Sequence, residues 1–303
     1  MFNINKSGRR AVLGVAGAAL LSLSLAACGE EEPAGDTPGA GPSVTAAADS
    51  ALAAKVPDAI KSDGKIVVGT DSTYAPAEFL DPDGKTVIGF DVELFTAVAA
   101  KLGLKAEFVS ANFGDIITGV NSGKYEVGVS SFTINDERKA QANMVSYYQV
   151  GTQWVTKTGN PGGIAIDNAC GKKIAVQKDT VQVEDITARS KKCTDGGKPA
   201  ITVDQFPGQD AATAAVVSGK DDAMLADYPV GAYAVTQSNG QLDLLDKMYD
   251  AAPYGYVVAK DQTAFAEAVR DATKALITDG SYKTVLDKWK VADGAITDPA
   301  VNP

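Results

Sequence analysis

The 303-residue sequence contains no histidine. That removes Ser-His-Asp and Cys-His nucleophile systems, and most zinc sites, in one step. Aromatic residues make up only 7%, and cysteine occurs only three times, at Cys28, Cys170 and Cys193. Past the N-terminus no stretch is rich in Lys and Arg, and the net charge is −10. This balance argues against nucleic acid as a partner and against an electrostatic hold on a membrane surface. What the chain does have is 45% apolar residues, enough for a sizeable core. Its length suits about two domains of roughly 100–200 residues each.

Lys6, Arg9 and Arg10 precede the uncharged stretch AVLGVAGAALLSLSLAA. The stretch is short and full of Ala, Gly and Ser, which reads as a secretory signal over 1–27 rather than as a membrane anchor. Its ending LAAC, Leu25 to Cys28, resembles the lipobox of bacterial lipoproteins. That resemblance implies a diacylated Cys28 at the mature N-terminus. With Cys28 so used, Cys170 and Cys193 remain, an even number in an oxidising compartment, and a disulfide between them is expected. The chain-entropy model credits such a bridge with about 3 kcal/mol at most. Residues 29–50 hold no aromatic and only Val44 as a large apolar side chain, so they cannot form a core of their own. A flexible tether is expected over 28–63.

From Lys65 strands and helices alternate. KIVVGT reads as an apolar strand. GFDVELFTAVAAKLG reads as a helix with Asp91 placed to cap its start, Val92, Phe95, Ala99 and Leu102 on one face, and Gly103 at its end. AEFV and YEVGVS are further strands around the helical FGDIITGVNSG. The order recurs in KKIAVQ, TVQVEDITARSKK, AITVDQF, GQDAATAAVVSGK and DDAMLAD. Two such sets imply two α/β domains with parallel βαβ sheets. SGKYEVGVSS and SGKDDAMLAD echo one another: each closes a helix and launches a short strand, one ending in hydroxyls and one in Asp227. Ligands of α/β sheets bind at such carboxyl ends. In SSFTINDERKA, Ser130, Ser131, Thr133 and Arg138 follow an apolar strand, a set suited to a small anion. The final strand AAPYGYVVAKD and two helices broken at Asp279-Gly280 have no further βαβ set to join. They are expected to return to the first domain, so that the chain crosses between domains twice.

GFDVELFTAVAAKL, GTDSTYAPAEF, SSFTINDER, VQKDTVQ and DAMLAD, in this order, resemble landmarks of the polar amino-acid-binding family of extracytoplasmic solute-binding proteins of ABC importers. The resemblance runs from about residue 64 over nearly all of the remaining chain. It implies an α/β, two-lobed periplasmic-binding-protein-like (type II) fold, two βαβ domains joined by a two-strand hinge. Lobe 1 would be 64–152 plus 254–303 and lobe 2 would be 153–253, with the ligand in the cleft. By the same resemblance Arg138 offers a bidentate fork to an α-carboxylate, helped by Ser131, Thr133 and the backbone near Thr180. Asp227 pairs the ammonium, helped by a carbonyl near Ser130. Tyr74 and Phe113 resemble the aromatic walls, and Asp71 and Gln177 stand where the ligand side chain is read.

Bland roles compete at several positions. Arg138 would also suit a solvated helix start, Asp227 and Thr180 would suit helix caps, and Tyr74 and Phe113 would suit core. Three departures from the family pattern stand out: Ala77 in place of an aromatic, which would leave one wall open or wide, Asp179 in place of Gly, and Val181 in place of Thr. Asp71 with Asp179 leans towards a cationic or amide side chain.

The reading is therefore of recognition without catalysis. No cofactor and no metal are expected. The expected partners are a free amino acid and the permease subunits of an ABC transporter, with no nucleic acid, and the chain is expected to be a monomer. Its expected place is the extracytoplasmic face of the cell membrane, held by lipid. The competing class is a secreted enzyme of the same fold, such as a cyclohexadienyl-type dehydratase, using Asp71, Glu78 or Asp179 for acid-base work. A sensor's ligand-binding lobe would need a membrane span and a signalling domain downstream, and the sequence to Pro303 shows neither.

Overall fold

The structure, a computed structural model, describes Gly39 and residues 43–303. The expected signal peptide and Cys28 lie outside the described residues. Two short helical turns, α1 (Ser50–Ala53) and α2 (Asp58–Lys61), lead into strand β1 (Lys65–Thr70). A small antiparallel meander follows, β2 (Thr73–Tyr74), β3 (Glu78–Leu80) and β4 (Val87–Ile88), and then α3 (Phe90–Lys101), β5 (Lys105–Ser110), α4 (Ile116–Asn121) and β6 (Val127–Thr133). Next come α5 (Asp136–Gln141), the long strand β7 (Ala142–Lys157), β8 (Lys173–Gln177), α6 (Val181–Asp195), β9 (Thr202–Phe206), α7 (Gln209–Ser218), β10 (Ala223–Asp227) and α8 (Tyr228–Gln237). A second long strand, β11 (Leu242–Ala259), precedes α9 (Thr263–Asp279) and α10 (Ser281–Lys288).

Eight strands form one mixed sheet in the order β5-β1-β6-β11-β7-β10-β8-β9. At one end β1 pairs parallel with β5 and β6, and at the other β8 pairs parallel with β9 and β10. Crossover helices cover both faces, which is why β6 and β10 are buried along nearly their whole length and do not alternate between core and solvent. The α/β class expected from the alternation is the class observed. Between the two parallel sets lie β7 and β11, antiparallel to each other and to their outer neighbours. Val145, Tyr147, Tyr148 and Val150 of β7 pack with α3 and α9, whereas Trp154 and Val155 pack with β8, β10 and the helices that cover them. β11 changes sides in the same way, from Leu242 in one core to Tyr256 and Val258 in the other. The two long strands thus serve two cores, and each core with its helices is a lobe. Cys170 and Cys193 form a disulfide with Cα atoms 5.6 Å apart, tying the turn before β8 to the end of α6.

Two local readings differ from the structure. The start of α3 is Gly89, not Asp91: the Asp91 side chain is buried and turned away from the helix end. The helix also buries Phe90, Leu94, Phe95, Ala97, Val98 and Ala99, a wider face than the one read from the sequence, while Val92 is only half-buried. The expected tether is the second difference, because its described part packs on the first lobe. Leu52 and Val56 are buried in the core there, with Val44, Ala46 and Ile60 against it. Leu52 comes from α1, Val56 from the turn that follows it and Ile60 from α2, so the segment is pinned at three successive points. A stretch too poor in apolar residues to make a core can still complete another one. The backbone is fastened as well: Val44 N–H donates to Glu93 Oε1 at 3.2 Å, Asp49 N–H to the Lys101 carbonyl at 3.0 Å, and Gly39 N–H to the Lys288 carbonyl at 3.0 Å. A side chain at position 39 would come within 2.7 Å of the Trp289 ring, so the close approach there requires glycine.

Candidate functional site

The carboxyl ends of β1 and β6 face those of β8 and β10 across the gap between the lobes. There a small, tightly closed cavity is lined by Asp71, Tyr74, Phe113, Ser130, Ser131, Thr133 and Arg138 from the first lobe, and by Gln177, Thr180, Val181, Gln182 and Asp227 from the second. All ten positions named from the sequence meet here, together with Val181 and Gln182. Gln182 sits in the first turn of α6, two residues after Thr180, and that proximity was the one signal for it.

Arg138 is buried in α5 and caught between rings and carbonyls. Its Nη1 donates to the Thr133 carbonyl at 2.9 Å and its Nη2 to the Asp179 carbonyl at 3.2 Å. Its Cζ lies 5.2 Å from the Phe113 ring and 5.5 Å from Phe132, two rings stacked with centroids 4.6 Å apart. Asn135 caps α5 by accepting from Arg138 N–H at 2.9 Å, which fixes the turn that aims the guanidinium. Burial lowers the affinity of the guanidinium for its proton, while the charge of Asp227 opposes the shift. A solvated helix start would show none of these contacts.

Asp227 closes β10 from the second lobe. It occupies the start of α8 without capping it, because its side chain is bound elsewhere. Oδ2 accepts from Tyr254 OH at 2.7 Å and Tyr74 OH at 2.9 Å, and Oδ1 accepts from Gln182 Nε2 at 2.8 Å. Burial raises its pKa, against these three hydrogen bonds and the Arg138 charge. Asp71 is held in a similar way: Oδ1 accepts from Thr73 N–H and Oγ1, and Oδ2 from Phe113 N–H at 3.0 Å and Gln177 Nε2 at 2.9 Å. Burial raises Asp71 too, and the bonds from Thr73 and Phe113 oppose it. Thr180 does not cap α6; its hydroxyl donates to the Gln177 carbonyl at 2.8 Å.

The Asp71–Gln177, Tyr74–Asp227 and Arg138–Asp179 bonds each join the two lobes, so the arrangement is that of a closed cleft. Asp179 has a left-handed backbone, φ 63°, and its Oδ2 lies against Gly114 of the first lobe. Ala77 is buried in the first core, so the wall expected to be open is not part of the cavity. Glu78, one of the acids that an enzyme could use, is wholly buried beneath the cavity and does not line it. Among the described residues no group of three or more acids and cysteines is placed to hold a metal ion, and no helix is long and apolar enough to cross a membrane.

Residues 66–292 match the sequence profile of the bacterial extracellular solute-binding proteins, family 3. The chain belongs to that family. As a family 3 solute-binding protein it is extracytoplasmic. It is 32% identical over 300 residues to the arginine-binding protein ArgT of Corynebacterium glutamicum, an alignment that covers 98% of this chain and 97% of that one. Among solved structures it is similar to an ancestral arginine-binding protein bound to arginine, with a TM-score of 0.69 and 32% identity over 75% of this chain and 98% of that chain. It is also similar to the ancestral amino acid-binding protein AncCDT-1, a precursor of cyclohexadienyl dehydratase, with a TM-score of 0.69 and 29% identity over 79% of this chain and 99% of that chain.

Proposed function

We propose that this family 3 protein captures a free amino acid with a cationic side chain, arginine first, and delivers it to the permease of an ABC importer without chemical change. The observation that carries this reading is the charge of the cavity lining. Arg138 suits the α-carboxylate and Asp227 the ammonium, and Asp71 is a second carboxylate with no second cation beside it. Two acids against one guanidinium leave one negative charge, the complement of an amino acid with one net positive charge. Asp115, Glu137, Asp179 and Glu184 line an adjoining pocket with Arg138, and Asp210 lines another that shares Asp71, so acids outnumber bases around the cavity. The arginine-binding relative and the arginine-bound neighbour support the same choice. Binding without turnover fits the acids present: Glu78 is sealed off, and both oxygens of Asp71 are held by donors.

Calorimetric titration with the common amino acids, ornithine and citrulline tests this directly. Arginine should bind most tightly, and acidic amino acids should not bind. Asp71→Asn should weaken arginine about 10- to 100-fold, the cost of losing a charged hydrogen-bond partner, while citrulline and glutamine should change far less. An equal loss for all ligands would place Asp71 outside side-chain recognition. Because burial raises both Asp71 and Asp227, protons compete with a cationic ligand earlier than at ordinary carboxylates, and arginine affinity should fall as the pH is lowered.

The anchor is part of the same proposal. LAAC and the basic, apolar leader support a lipid on Cys28 that keeps the protein at the outer face of the membrane. Cys28→Ser should release the protein into the medium or leave an uncleaved precursor. Intact-mass analysis that found a different mature start and no acyl chain would refute the anchor.

A further inference from the structure

Beneath the cavity lie two carboxyl groups that flank one hydroxyl. Glu78 at the start of β3 and Asp91 in the first turn of α3 are both fully buried. Ser130 Oγ donates to Glu78 Oε1 at 3.0 Å, while Ser131 Oγ lies 3.1 Å from Asp91 Oδ2 and 3.5 Å from Glu78 Oε2. Ser131 N–H and Tyr147 OH also donate to Asp91 Oδ2, at 3.1 and 2.5 Å. Asp91 Oδ1 is buried without any donor from these neighbours. Among the described residues no cation is a main influence on either acid. Two adjacent carboxylates in a dry site cannot both ionise, and they titrate as a pair. One proton held between Glu78 and Asp91 makes a hydrogen bond of the contact and removes the repulsion.

We propose that Glu78 and Asp91 share one proton and act as a positioning pair that locks the Ser130–Ser131 segment, so that loss of this proton slackens the cavity floor. The segment needs such a lock. Between the Phe132–Gly255 and Gly128–Val257 pairs, β6 advances four residues while β11 advances two, so a bulge interrupts the ladder here. Within it Ser131 has a left-handed backbone, φ 51°, which surrounding bonds must over-determine. Both serine hydroxyls reach the carboxyl pair, and Ser130 Oγ also accepts from Asp71 N–H at 3.0 Å. Three cavity residues are therefore fastened to two acids that the cavity does not expose.

Burial, together with the Asp91 charge and hydrogen bond, holds Glu78 well above the usual carboxylate range. Asp91 is buried as deeply, but the bonds from Tyr147, Glu78 and Ser131 oppose the shift and it rises only to about 6. Both acids are pushed upward by burial, so the pair keeps its shared proton towards neutral pH. The other titratable groups facing the pair are Asp71, Tyr74, Tyr147, Tyr148, Tyr256 and Tyr282. Burial moves all five tyrosines upward, away from neutrality. A raised Glu78 favours the folded state most at acid pH, below the pKa of the unfolded chain, and that advantage is lost as the pH rises through the folded value. Glu78→Gln, a fixed mimic of the protonated acid, escapes that loss.

The inference rests on reading the cavity as the arginine site, so the test includes readouts that need no ligand. Infrared spectra of the ligand-free protein at neutral pH should contain the carbonyl stretch of a buried protonated acid, absent from Glu78→Gln. Melting temperature should fall more steeply with rising pH in the wild type than in that variant. Arginine titration should give Glu78→Gln an affinity within about threefold of the wild type, whereas Glu78→Ala, which strands the Ser130 hydroxyl and leaves Ser131 Oγ to Asp91 alone, should lose about tenfold or more. A missing band, a parallel pH dependence of melting, or a loss in Glu78→Gln as large as in Glu78→Ala would overturn the pair. If Glu78→Ala does not fold, the spectra and the Glu78→Gln comparison still decide. Failure of the wild type to bind arginine would sink the ligand assignment and leave the spectroscopic test standing.

Discussion

Arg138→Ala should lower affinity for the best amino acid by roughly 30- to several-thousand-fold, the equivalent of about 2–5 kcal/mol for truncating one partner of a desolvated charge pair. The size of the effect follows from burial. The guanidinium sits in a closed cleft with its flat face near Phe113 and Phe132 and two of its N–H groups on carbonyls. A ligand carboxylate left in that cleft without the fork has no other cation, since Arg138 is the one basic residue of the lining. Arg138→Lys should also bind poorly, because a point ammonium cannot reproduce a planar bidentate fork or its stacking. Circular dichroism and the melting temperature separate this from misfolding, because the alanine variant also leaves the Thr133 and Asp179 carbonyls without their donor. Near-native affinity in a folded Arg138→Ala protein would show that the carboxylate is held elsewhere.

Asp227→Asn should cost affinity on the same scale, about 2–5 kcal/mol, with an opposite signature in stability. The wild-type carboxylate is buried against three neutral donors, and burial already works against its charge. Removing the charge relieves that burden in the ligand-free protein, so the melting temperature should hold or rise while calorimetry records the loss of binding. The wild type at low pH should approach the Asn variant, because a protonated Asp227 is likewise uncharged. Binding that survived in Asp227→Asn would assign the ammonium to another partner and remove the charge argument for a cationic amino acid.

The alternation of strands and helices was legible because β1, β6, β8 and β10 are short strands with apolar stretches that run into polar residues with a task. Ser130, Ser131 and Thr133 close β6, Gln177 closes β8 and Asp227 closes β10. Carboxyl ends of neighbouring strands converge, so residues far apart in sequence share one cavity. Residues whose role depends on a tertiary neighbour could not be read in this way. Asp91 carries the local signal of a helix cap, and only the packing of α3 against β6 and β7 turns it inward to Ser131 and Tyr147. Glu78 looked like an acid available to a cleft until β3 placed it under the floor. Tyr254, which donates to Asp227, comes from a hinge strand whose sequence announces only burial. Leu52 and Val56 were hidden by the composition around them, because a segment that completes another core needs few apolar residues of its own.

The docked N-terminal segment changes the mechanics of delivery. Had the whole stretch 28–63 been a leash, the body would search a hemisphere set by 36 residues. With Gly39 fastened beside Trp289 and the chain anchored at Cys28 as proposed, 11 residues separate lipid from body, a reach of about 38 Å at full extension. The fastening points, on α3 and α10 with their neighbours, all belong to the first lobe. The second lobe can therefore swing on β7 and β11 without pulling on the anchor, and a loaded protein stays within range of the permease that unloads it.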